Sequence, residues 1–178
     1  MAYYYLVSSL IPLTLEDAPP YTPEDFLSSC RDMLARKDAI ALEHVYHGRL
    51  DEVNHPFIKE WKKLEYRLKN ALARARTARM KLPPEPYLRN VAVVDAATEN
   101  AVTEAMNKPN PLEKELALDR YRWKILEELT PIINFDLSAI FSYAIKLKMV
   151  IRWNGMTGEK GNGCVTGIMD KQLQGLAL

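Results

Sequence analysis

Eight uncharged residues recur at alternating steps of four and three: Phe57, Trp61, Leu64, Leu68, Ala71, Ala75, Ala78 and Leu82. Only an α-helix puts such positions on one face, so residues 57–82 read as one long helix with an apolar seam. Pro83-Pro84-Glu85-Pro86 ends it, because proline lacks the N–H donor and clashes with the preceding turn. A seam of this length needs partner helices. Alanine in its second half lets a partner approach closely.

The same segment carries the charge asymmetry of the chain. The 178 residues have a formal net charge of +1, yet residues 57–89 hold ten basic and three acidic side chains. Residues 1–56 hold four basic against nine acidic, and residues 90–178 ten against eleven. Lys59, Lys62, Lys63, Arg67, Lys69, Arg74, Arg76, Arg79 and Lys81 all lie off the seam. The expectation is a two-sided helix with its seam inward and its cations outward, available to an acidic partner.

Further helices follow from their start signals. Thr22-Pro23-Glu24-Asp25 caps a helix from Pro23 to about Arg36, which gathers Phe26, Leu27, Cys30 and Leu34 on one face. Asp38 is expected to cap a second helix ending near His47, with Gly48 as its stop. Asp95 to Met106 reads as a modest helix. Asn110-Pro111 opens another that runs to about Leu129. Asp136 caps the stretch from Leu137 to Trp153, apolar nearly all round apart from Lys146, Lys148 and Arg152, and so expected to be the most buried. Residues 3–13 fit a strand or a short helix; periodicity does not decide between them. The fold class is therefore all-α, a single bundle of about six helices over residues 1–155. Six of the seven glycines follow residue 154, and residues 156–178 are expected to form a flexible tail.

Candidate chemistry is sparse. Gly155 to Gly163 is glycine-rich, but the lysine lacks the flanking Gly and Ser/Thr of a phosphate loop, and a helix rather than a strand precedes it. His44 and His47, with Glu43 and later His55, have an i, i+3 spacing that permits a metal, but no HExxH pattern appears and the nearby acids are ordinary, so surface or interhelix histidines are expected. Cys30 and Cys164 lie in no activating motif, and two cysteines suit a reduced, cytoplasmic setting. No secretory leader and no membrane span is expected. No catalytic, cofactor-binding or metal-binding residue is assigned, and no enzyme activity, cofactor or small-molecule substrate is expected. The basic helix could equally serve nucleic acid, although its cations circle the helix and no recognition motif accompanies them.

Asp119 is the most informative single residue. It falls on the face that carries Leu112, Leu116, Trp123 and Leu126, where a carboxylate requires a cation or hydrogen-bond donors. Arg152 is the first candidate for a buried ion pair with Asp119, and Arg67 and Arg122 are the next.

Several segments together resemble a known family. Tyr3-Tyr-Tyr-Leu-Val-Ser-Ser-Leu10, Leu68 to Arg76, Asn110 to Trp123, Phe135-Asp-Leu137, Lys146 to Trp153 and Glu159-Lys-Gly161 are similar, in this order, to an uncharacterised bacterial family encoded among the subunits of V-type (A/V-like) ATPases. That family is distantly similar to the all-helical, funnel-like ATPase component that couples the central stalk to the membrane ring. The resemblance spans about residues 3–161, and the sequence departs from it after Gly161. It implies an accessory or assembly component, cytoplasmic or peripheral to the membrane through the ATPase, with ATPase subunits as partners. It carries no catalytic or ligand residue. The expected function is thus helix-mediated docking on a V-type ATPase, with nucleic-acid binding as the alternative.

Overall fold

Side-chain caps open five of the helices in the computed structural model, which describes residues 3–89, 94–130 and 135–156. Thr22 Oγ1 accepts from Asp25 N–H, His55 Nδ1 from Phe57 N–H and Asp95 Oδ2 from Thr98 N–H. Asn110 Oδ1 accepts from Leu112 N–H and Asp136 Oδ1 from Ser138 N–H. Each satisfies a donor that the first helical turn leaves without a partner. The helices are α1 (Tyr4–Ser9), α2 (Pro23–Met33), α3 (Arg36–Tyr46), α4 (Pro56–Met80), α5 (Ala96–Met106), α6 (Pro111–Leu129) and α7 (Leu137–Asn154). Short 3-10 turns occupy Leu50–Glu52 and Glu85–Tyr87. The described residues contain no strand, so the all-α expectation holds.

Among the described residues there are seven helices rather than about six. The additional one is α1, the segment whose periodicity was ambiguous. Asp38 is not a cap: α3 begins two residues earlier, and the Asp38 carboxylate instead accepts the Tyr3 hydroxyl. Gly48 does stop α3, at φ +80°, a left-handed conformation that costs glycine little. α4 ends at Met80 with Lys81 in the left-handed conformation, two residues short of Leu82. The proposed tail, with most of the glycine-rich loop and Cys164, lies beyond residue 156 and outside the described residues.

Two apolar clusters organise the molecule. The larger joins α1, α2 and α3 to the first turns of α4, the end of α6 and most of α7; Phe26, Leu42, Ile58, Leu126, Ile140, Phe141 and Leu147 are its most buried side chains. The smaller joins Leu68, Ala71 and Leu72 of α4 to Val102 and Ala105 of α5 and Leu118 of α6. Ala71 and Ala105 are both fully buried, so α4 and α5 approach through small residues as the alanine seam requires. α4 and α6 pass through both clusters, and Tyr121 packs on each. α7 is the axis of the larger one.

The seam itself holds only in part. Phe57, Trp61, Leu68 and Ala71 are buried, Leu64 and Ala75 are half-buried, and Ala78 and Leu82 are exposed. Past Ala75 the neighbouring helix no longer covers that face. Burial passes to Thr77, whose hydroxyl donates back to the Ala73 and Arg74 carbonyls. The face expected on α6 holds in part likewise: Leu126 and Asp119 are buried and Leu116 and Trp123 half-buried, but Leu112 is exposed, and Leu118 and Ile125 add burial.

Candidate functional site: a charged cleft between α4, α6 and α7

Three helices place charged residues at helical spacing around one open cleft of about 510 Å³. α4 contributes Trp61, Lys62, Glu65, Tyr66 and Lys69; α6 contributes Glu115, Asp119 and Arg122; α7 contributes Ile145, Lys148, Met149 and Arg152. The charged members fall at steps of three and four, which keep side chains on one helix face. Gly48, Leu50 and Asp51, from the turn after α3, close one rim, and Arg89 closes another.

The floor is an ionic network. Asp119 is only 1% exposed. Its Oδ1 accepts from Arg122 Nη1 at 2.8 Å, and its Oδ2 accepts from Trp153 Nε1 at 2.7 Å and from Arg152 Nη2. The buried carboxylate is thereby matched by two cations and an indole N–H, as removal from water demands. Arg122 turns its Nε to Glu65 Oε1 at 2.8 Å, and Lys69 stands 3.7 Å from Glu65. Burial works against the Arg122 charge, but Glu65 and Asp119 more than offset it and raise its pKa. The network ties α4, α6 and α7 together. Arg67, the other candidate partner of Asp119, makes no bond to it.

The rims are built by equally specific contacts. Asn70, buried within α4, donates through Nδ2 to the Arg89 carbonyl and accepts the Arg89 N–H at Oδ1, both at 2.8 Å. That two-point clamp fixes the backbone after the second 3-10 turn and brings the Arg89 guanidinium 5.3 Å from the Tyr66 ring centre. Lys148 donates to the Tyr46 carbonyl at 2.8 Å, a cation at the C-terminal end of α3. Lys62 pairs with Asp51.

The nine cations expected to face outward do not form one surface. Lys62 and Lys69 line the cleft, and Arg76 follows them at the same seven-residue step. Lys59 and Lys81 are exposed, and Lys63 pairs with Glu60 one turn away. Arg74 is bonded to Glu99 of α5, and Arg79 donates to the Met106 carbonyl at 2.6 Å. Arg67 is half-buried, with Nε shielded from solvent. The expectation that every cation points outward is therefore corrected: long side chains near a packed face turn back to satisfy acids and carbonyls of the neighbouring helix.

His44 and His55 also have local duties. His44 Nδ1 stands 3.2 Å from Glu52, and His55 Nδ1 accepts the Phe57 N–H at 3.3 Å at the start of α4. Sequence reasoning missed Glu65, Asn70, Arg89, Glu115 and Lys148. The available signal was the i, i+4, i+7 run Glu115, Asp119, Arg122 facing the i, i+4 pair Lys148, Arg152, each of which puts charge on one helix face.

Residues 98–175 match a family model described as a protein of unknown function (DUF2764). The matched stretch contains the α6 and α7 walls of the cleft but not α4. It also runs through the glycine-rich segment after Gly161, where the resemblance read from the sequence ends. No curated protein matches the chain. No solved structure matches it either. Nothing in these comparisons links the chain to the stalk-coupling component of V-type ATPases.

Proposed function

We propose that the protein is a non-catalytic accessory or assembly component of a V-type ATPase, docking on an acidic partner through the cleft side of α4. The ATPase assignment rests on the ordered segments from Tyr3 to Gly161 that resemble the uncharacterised family encoded with such enzymes. The docking assignment rests on one structural observation: Lys62, Lys69 and Arg76 form a single row at seven-residue steps along the open side of α4. Charge in such a row speeds encounter and sets orientation more than it adds affinity.

Charge reversal of the row tests this reading. Lys62→Glu, Lys69→Glu and Arg76→Glu together should reduce capture of tagged V-type ATPase subunits at least tenfold, with an unchanged circular dichroism spectrum. The on-rate of the wild-type protein should fall steeply as salt is raised. Wild-type protein that recovers nucleic acid and no ATPase component would replace this reading with the nucleic-acid alternative.

A further inference from the structure

We propose that the cleft between α4, α6 and α7 receives a short acidic peptide segment of the partner, with carboxylate side chains toward its rim and an apolar side chain toward its inner wall. This rests on the docking reading above and names what is docked.

The charge of the cleft favours carboxylate. Its lining carries six cations (Lys62, Lys69, Arg89, Arg122, Lys148 and Arg152) against four acids (Asp51, Glu65, Glu115 and Asp119), a surplus of two positive charges. Three of the acids are already engaged: Asp51 by Lys62, Glu65 by Arg122, and Asp119 by Arg122, Arg152 and Trp153. The cations retain donors that the protein does not use. Arg89 has no carboxylate partner among the described residues, and Lys69 stands beyond hydrogen-bond length from Glu65. Lys148 is exposed and spends one of its three donors on Tyr46. Arg152 has its side chain 44% exposed while still holding Asp119. A concave site with low-dielectric walls concentrates the field of such a surplus.

The distribution of charge discriminates between polyanions. Nucleic acid presents a phosphate charge at about every 1.7 Å of duplex axis and is bound by uninterrupted positive surface. Here acids stand among the cations, Asp51 beside Lys62 and Glu65 and Asp119 beside Arg122, and Glu115 has no ion-pair partner among the described residues, so a continuous phosphate backbone would meet repulsion. Carboxylates placed singly along a peptide fit between the acids. The inner wall adds the apolar component: Trp61, Ile145 and Met149 border the same space, with Leu50 at the rim. Apolar area bordered by polar groups is common to protein–protein contacts. At about 510 Å³ the cleft lies within the range that encloses a ligand of a few side chains.

The test uses the full-length protein and a fluorescein-labelled peptide, Glu-Leu-Glu-Glu-Leu-Glu, read by anisotropy. Saturable binding is expected, at least tenfold weaker for the Gln-for-Glu version of the peptide. Arg89→Glu and Lys148→Glu should each weaken it at least fivefold, whereas Lys59→Glu, outside the cleft lining, should change it less than twofold. Arg89→Gln and Lys148→Gln, which remove charge without reversing it, should give intermediate losses and guard against misfolding. No saturable binding, equal loss from Lys59→Glu, or a single-stranded oligonucleotide binding more tightly than the peptide would each overturn the proposal. The two readings separate cleanly. If the Lys62/Lys69/Arg76 reversal abolishes ATPase capture while Arg89→Glu and Lys148→Glu leave it intact, docking stands and the cleft is not its receptor.

Discussion

Asp119 shows how one buried charge sets the terms for its surroundings. Its oxygens accept from two guanidinium groups and an indole, which together surround the carboxylate with donors. That arrangement suits a brace between α6 and α7 better than a proton carrier. Asp119→Ala strands Arg122 in a mostly buried position, although Glu65 still faces it, and leaves the Trp153 N–H without its acceptor. The expected loss is therefore about 3 kcal/mol, the low end of the range for breaking a buried pair. Arg152→Ala removes a side chain that is 44% exposed and should cost about 1 kcal/mol or less. Urea unfolding of the two variants and their double mutant measures both values. A loss below about 1 kcal/mol for Asp119→Ala would show that solvent, rather than the network, holds these charges.

At the scale of an element, α4 illustrates the limit of a periodic pattern. The spacing from Phe57 to Leu82 is uniform, but the neighbours that cover it are not. Leu68 is 1% exposed between α4, α5 and α6, while Leu82 is 44% exposed beyond the helix end. Leu68→Ala should thus cost about 2–5 kcal/mol, as buried truncations do, and Leu82→Ala about 0.5 kcal/mol or less. Denaturant midpoints with an unchanged slope are the measurement. Similar losses at both sites would mean that the seam continues as the spacing implied. Which cations of α4 are spent inside the fold was equally invisible in the pattern. Arg74 and Arg76 are two residues apart with the same chemistry, and only the position of Glu99 on α5 turns the first inward.

For the molecule as a whole, Cys30 reports on the integrity of the larger cluster. It is 1% exposed, and burial pushes its thiol up to about 12. At pH 8 about one such thiol in ten thousand is ionised, and the thiolate is the reactive form. In a Cys164→Ser background, labelling by a disulfide reagent should therefore wait for opening of the fold. Leu68→Ala should accelerate it by the factor by which it raises the unfolding equilibrium constant, if the two clusters unfold as one unit. Labelling of the native protein at the rate of free glutathione would contradict the burial. Unchanged labelling in Leu68→Ala, despite lower stability, would show that the smaller cluster opens alone.

Helix positions and the identity of the buried carboxylate were legible in the chain itself, because caps such as Thr22, Asn110 and Asp136 and the three-four spacing of apolar residues act within a few residues of each other. The partnership of Asp119 with Arg152 was legible too, since a lone carboxylate on an apolar face requires a cation and few were placed to reach it. The cleft was not. Its walls come from α4, α6 and α7, its rims from Gly48, Asp51 and Arg89, and each of these sits in an ordinary local sequence. Local free energies choose the helices; which of their polar faces meet around a common space depends on long-range packing of the two apolar clusters, and only the tertiary structure decides that.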